Sequence, residues 1–267
     1  MKLKFKMQEY KFSTIFDNIL DTKESFNILP LTHKVTWYEA INIMREDKII
    51  PIECDVFEGE NLIYLFYGIP SYNVAVNVKS RGDFSYSPVC FLLRTDNIEF
   101  VNCFPFDSGA FYLDMYSDYF NDRMNIYDFA LRTDFSYISR FISTFYLSND
   151  NYYRGICKEQ SSLPKFDPFS DFHLSSYINL ISKNGESKFD SRSHTIELIS
   201  KKQIDLKNNL LAVFIPRDMK SNKYIIEYMK LGIDVITYNT FYNDSPSSYN
   251  AVIKEKMYEY LINKKII

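Results

Sequence analysis

Glycine is scarce in this chain, with 7 residues in 267. None falls in the GxGxxG or GxxxxGK[ST] spacing that wraps a backbone around phosphate, so a glycine-built nucleotide cradle is not expected. GxSxG and HExxH are missing too, which removes the nucleophile elbow of α/β-hydrolases and the zincin helix. The four cysteines, Cys54, Cys90, Cys103 and Cys157, lie far apart with no CxxC pair. That spacing fits neither a zinc site nor a disulfide framework and reads as reduced thiols of a cytoplasmic protein. No metal is expected. No apolar run approaches the roughly 20 residues that span a bilayer, and the N-terminus lacks the apolar core of a signal peptide, so no membrane partner is expected. The net charge is −3, and no basic stripe exists beyond Met1–Lys6 and the Lys-bearing C-terminus. Non-specific duplex binding therefore has no electrostatic footprint here.

What the chain does have is aromatic residues, 22 Tyr and 23 Phe, which predict an aromatic-packed interior. The length suits one large domain or two small ones. "TWYEAINIMREDK" carries Thr36 with Glu39 three residues on, a capping box. Trp37, Ala40, Ile41 and Met44 then share one face, predicting an amphipathic helix from Thr36 to Asp47. "NLIYLFYGIPSY" reads as a buried strand entering a turn at Gly68 and Pro70. "PVCFLLR" and "IEFVNCFPF" read as two strands paired through "TDN". Ser108 to Tyr146 reads mostly helical, and "QSSLPKFDPFSDF" as a loop. "HLSSYINLISKNGESKFDSRSH" stays polar before a strand around Glu197. "NNLLAVFIP" and "IDVITYN" are strands flanking the helix "NKYIIEYMKLG". A last helix starts near Ser245–Pro246 and shows Tyr249, Ile253, Met257 and Tyr260 on one face. The class is α+β.

Few residues in this pattern carry chemistry. There are three histidines: His33 before the capped helix, His173 after the Pro-rich loop, and His194 beside the late strand. In "KFDSRSHTIELIS", strand alternation would place Ser193 and Thr195 on the same face as Glu197, either as a catalytic edge or as a solvated face. "CFPFDSGAFY" reads either as a tight turn or as a loop lining a ligand cleft with Asp107 or Ser108 pointing in. Arg192 and Arg81 are the candidates for a pyrophosphate, because a guanidinium recognises it bidentately. A Cys–His nucleophile pair needs only to meet in space, but nothing marks one cysteine as activated.

The ordered set His33, Tyr67 and Glu197 resembles the ADP-ribosyltransferase superfamily in its His-Tyr-Glu form. There the three residues come from three strands of a split β-sheet that clasps NAD. The strand–helix unit at Thr36–Asp47, ending "DKIIP", looks like the family's early unit. The resemblance implies a single domain over 1–267, built as a split β-sheet NAD-binding core with a mostly helical insertion at about 108–185. It implies that His33 holds the adenosine-side ribose, that Tyr67 stacks on the nicotinamide, and that Glu197 binds the nicotinamide ribose and stabilises its developing positive charge. Gly68, Ser193, Thr195 and Arg192 would join the NAD site. The arginine-modifying members carry a second acid where this chain has Thr195, so the implied acceptor is another macromolecular group, on protein or nucleic acid, or water. A bacterial toxin or defence effector fits that activity. Two other readings stand beside it. One is a non-catalytic binding or sensor module, whose aromatic surface would meet a partner; the other is a Cys-dependent hydrolase.

Overall fold

The structure, a computed structural model, describes residues 26–54, 56–74, 78, 83–167, 169–182 and 191–267. Arg81 and Met1–Lys6 lie outside them. In chain order the regular elements are β1 (Leu31–Thr36), α1 (Trp37–Glu46), β2 (Lys48–Ile49), β3 (Ile52–Glu53), β4 (Asn61–Tyr67) and β5 (Pro88–Leu93). Then come β6 (Asn102–Phe104), α2 (Ser108–Tyr112), α3 (Phe135–Tyr146), α4 (Asn149–Arg154) and α5 (Phe172–Ser182). The last are β7 (Glu197–Ser200), β8 (Ile204–Asp205), α6 (Leu206–Asn209), β9 (Leu210–Pro216), α7 (Lys223–Lys230), β10 (Asp234–Tyr238) and α8 (Tyr249–Asn263). The chain is α+β with a mixed sheet. It divides into two compact units, Leu29–Glu99 with Ile199–Ile267, and Met1–Ile28 with Phe100–Leu198. No helix among the described residues is long and apolar enough to cross a membrane.

The unit formed by Leu29–Glu99 and Ile199–Ile267 is built on strands in the order β10-β9-β5-β1-β4, with β3 added to β4. The β9–β10 pair is parallel, and the β1, β4 and β5 pairings are antiparallel. All six residues of β5 are buried. Its unbroken apolar run, "PVCFLL", is what a strand covered on both faces requires. The expected hairpin of "PVCFLLR" with "IEFVNCFPF" does not form. Strand β5 takes β1 on one edge, with His33 opposite Phe91, and β9 on the other, with Cys90 opposite Phe214. Both edges are filled by partners distant in sequence. The parallel β9–β10 pair needs a crossover, which α7 supplies.

Helix α1 carries the capping box. Thr36 Oγ1 accepts from the Glu39 amide at 3.4 Å, and Glu39 Oε2 accepts from the Thr36 amide at 2.8 Å. Ala40 and Met44 face inward, as predicted, and Asp47 ends the helix in the left-handed region at φ 52°. In α8 the buried positions are Tyr249, Ile253, Met257 and Leu261. Tyr260, expected on that face, donates its hydroxyl to Asp234 Oδ2 at 2.9 Å instead.

In the other unit the aromatic interior lies around Phe106. Its ring centroid is within 6.4 Å of those of Phe111, Tyr116, Phe120, Phe129 and Tyr177. Offset and edge contacts of this kind add to the area each ring buries. Helix α3 is capped by Asp134, whose Oδ1 accepts from the Tyr137 amide at 2.7 Å, and it buries Ile138, Phe141, Ile142 and Phe145. Two expectations fail here. Residues 113–134 hold no α-helix; they wind through turns and one short 3-10 helix, Ile126–Phe129. Asn121 accepts from the Arg123 amide, a local bond that competes with a helix, while Asn125 accepts from the Tyr127 amide and caps the 3-10 helix. The polar-reading "HLSSYINLIS" is helix α5, which buries six residues, among them Leu174, Tyr177, Ile178 and Ile181.

Candidate functional site

His33, Tyr67 and Gly68 belong to the unit containing β1 and β4, and Glu197 to the other. Strands β1 and β4 pair with Leu31 opposite Tyr67. His33 stands two residues beyond Leu31, so His33 and Tyr67 occupy one face of the pair. His33 Nδ1 lies 3.0 Å from the Tyr64 carbonyl oxygen. A carbonyl only accepts, so Nδ1 carries the proton and Nε2 is left as an acceptor in the neutral ring. Burial pulls the imidazole below its ordinary pKa, against weaker upward pulls from the Tyr64 hydrogen bond and the Glu39 charge. The ring is therefore neutral near pH 7.

Tyr67 is 1% exposed, and its hydroxyl accepts the Leu29 amide at 2.9 Å. Gly68 follows at φ +72°, where a Cβ would stand 2.6 Å from Leu29 Cδ1. The Tyr-Gly pair thus wraps tightly around Leu29, which gives both residues a structural task.

A second group assembles around the start of α2. Asp107 caps this helix, its Oδ1 accepting from the Ala110 amide at 2.6 Å. The "DSG" stretch is thus a helix start, not a free turn. The Asp107 amide donates to the Arg192 carbonyl at 3.0 Å. The next amide, of Ser108, donates to Glu197 Oε2 at 3.2 Å. Asp107, Ser108, Arg192 and Glu197 are therefore brought together by two consecutive amides. Glu197 is 1% exposed and Ser108 fully buried. The Ser108 hydroxyl has no hydrogen-bond partner among the described residues.

The expected alternation of Ser193, Thr195 and Glu197 along one strand is not what forms. Strand β7 opens only at Glu197, and Ser193 lies in a single helical turn, Ser191–Ser193. The Ser191 carbonyl collects the amides of His194 and Thr195 and, at 2.6 Å, the Thr195 hydroxyl. That local bonding holds the chain out of the strand. Both Ser193 and Thr195 are buried.

His194 is buried next to the rings of Tyr146 and Tyr152, and it fills the space that a side chain on Gly155 would need, with Cε1 2.9 Å from the missing Cβ position. His173 faces Asp128 Oδ2 at 3.3 Å in a partly exposed position. Burial, with the charges of Glu197 and Asp134, raises the Cys103 thiol well above its ordinary value. Burial likewise pushes Cys90 up to about 12. Neither is a thiolate at neutral pH, so neither suits the cysteine nucleophile that a hydrolase would need. Among the described residues no group of three or more His, Cys, Asp or Glu side chains is placed to hold a metal ion.

Sequence reading missed the tie between Ser108 and Glu197. The local signal was present, since Asp followed by small residues is a helix-cap pattern. Its partner lies 89 residues away, and no spacing rule reaches that far. No protein-family model, curated protein or solved structure matches the chain.

Proposed function

We propose that this chain is an NAD-dependent ADP-ribosyltransferase that modifies a macromolecular acceptor, protein or nucleic acid, on a split-sheet core of that superfamily's type. The observation that carries the reading is Glu197, a carboxylate shut from water whose Oε2 is held by the Ser108 amide. A carboxylate fixed in a dry site is the group that best stabilises a cationic sugar as it develops, because no solvent reorganises or screens it. In the reaction the bond between ribose C1′ and the nicotinamide nitrogen breaks, and the electron pair leaves with neutral nicotinamide. A nucleophilic oxygen or nitrogen of the acceptor then bonds to C1′ and gives up its proton.

His33 supports the same reading. The Tyr64 carbonyl sets the ring orientation and leaves Nε2 as an acceptor in the neutral ring, the chemistry the resemblance asks of this histidine. Arg192 brings a permanent cation for the pyrophosphate. Thr195 stands where the arginine-modifying members carry a second acid, and its hydroxyl is engaged by Ser191. No general base arises at that position, which disfavours an arginine guanidinium as acceptor.

Replacing Glu197 with Gln keeps the shape and removes the charge. NAD cleavage and transfer should fall by at least about 100-fold, while circular dichroism and melting stay those of the wild type. ADP-ribose on protein or nucleic acid, followed by mass spectrometry, is the readout. Full activity in E197Q sinks the assignment.

A second reading, a non-catalytic binding module, is favoured by Tyr67. Its closed ring and bonded hydroxyl serve the fold, whereas the enzyme reading asks that ring to stack on nicotinamide. A melting series in millimolar NAD separates the two, since a ligand that binds only the folded chain raises its apparent stability. A flat series selects the binding module.

A further inference from the structure

The hydroxyl of Ser108 is the polar group in the Glu197 cluster that the fold itself leaves unused. Its residue is fully buried, and no group among the described residues pairs with it. A buried hydroxyl without a partner loses its hydration with nothing gained in return. Alanine, smaller by that one oxygen, would remove the orphan and leave the amide that holds Glu197 Oε2 unchanged. The hydroxyl therefore adds nothing to the folded chain alone, yet it sits on the same residue that steadies the carboxylate.

We propose that Ser108 is a substrate-binding residue whose hydroxyl pairs with a hydroxyl of the ribose that Glu197 engages. This deepens the ADP-ribosyltransferase reading and rests on it. The chemistry of a nucleoside ribose fits the pair. Its vicinal diol presents two hydroxyls side by side. A carboxylate accepts from one, while a serine hydroxyl, both donor and acceptor, meets the other in either sense. In a position closed to bulk water such a bond meets no solvent competition. Entry of the ribose requires the side chains around Ser108 and Glu197 to part, the same opening that the role of Glu197 demands.

The test compares wild type and Ser108→Ala in three measurements: melting without ligand, melting with NAD, and steady-state NAD cleavage. The expected result is a ligand-free melting temperature equal to or above that of the wild type. The NAD-induced shift should shrink and KM for NAD should rise about 3- to 10-fold, the loss of one uncharged hydrogen bond. If S108A keeps wild-type KM and kcat within about twofold, the inference is overturned while the enzymatic reading stands. A ligand-free melting temperature lowered by several degrees, with KM unchanged, overturns it as well by giving the hydroxyl a structural role. If the wild type itself neither binds nor cleaves NAD, the underlying reading fails and this inference fails with it.

Discussion

A single proton distinguishes the two states of His33, and its surroundings choose the neutral one. Burial penalises the imidazolium more than the Tyr64 carbonyl and the Glu39 carboxylate favour it. The folded-state pKa therefore lies below the unfolded value, which is near 6.5. Below that pH the unfolded chain takes up a proton that the folded chain refuses. The stability this histidine contributes is complete above about pH 6.5 and drains away as the pH falls beneath it. His33→Gln, which cannot titrate, should lose less stability between pH 7 and 5 than the wild type does. Urea midpoints across that range check the sign, and parallel curves would show that the ring is not the titrating group. Ser108 differs from His33 and Glu197 in what sequence reveals about it. The type and order of His33 and Glu197 were legible from the chain. The orphaned hydroxyl was not, because whether a serine side chain finds a partner depends on which distant segments pack around it.

Elements were legible where one local rule governed them. Helix α1 has a capping box and a single apolar stripe, and it forms over the expected residues. Helix α5 has neither, since it is buried around most of its circumference, at Ser176 as well as at Leu174 and Ile178. A helix without a polar face shows no 3.6-residue contrast for a reader to find. Strand alternation misled at Ser193 and Thr195 because a carbonyl three or four residues back, that of Ser191, captured the chain first. The end of β4 offers a cleaner local test. Gly68 and Gly59 share a positive φ, +72° and +78°, but only Gly68 has Leu29 against its missing Cβ. Gly59→Ala should cost about 1 kcal/mol, the strain of a left-handed non-glycine residue. Gly68→Ala should cost that strain plus about 1–3 kcal/mol for displaced packing. Equal losses in denaturant melts would mean that Leu29 moves aside freely.

At the scale of the molecule, two interiors of different character share one chain. One is a sheet with aliphatic strands, and the other is a cluster of rings centred on Phe106. Removing that ring, Phe106→Ala, should destabilise its own unit by about 3–5 kcal/mol. In native-state hydrogen exchange, amides of α3 and α5 should then open sooner while those of β5 and β9 keep their protection. If all of them accelerate together, the two units unfold as one block. The insertion of Phe100–Leu198 between the segments of the other unit also sets a timetable. Strand β5 is complete at Leu93, but the strand that covers its second edge begins at Leu210. At about 5–20 residues per second, a ribosome needs on the order of ten seconds to bridge that distance. Throughout that interval "PVCFLL" presents an open, apolar edge to every other nascent chain nearby.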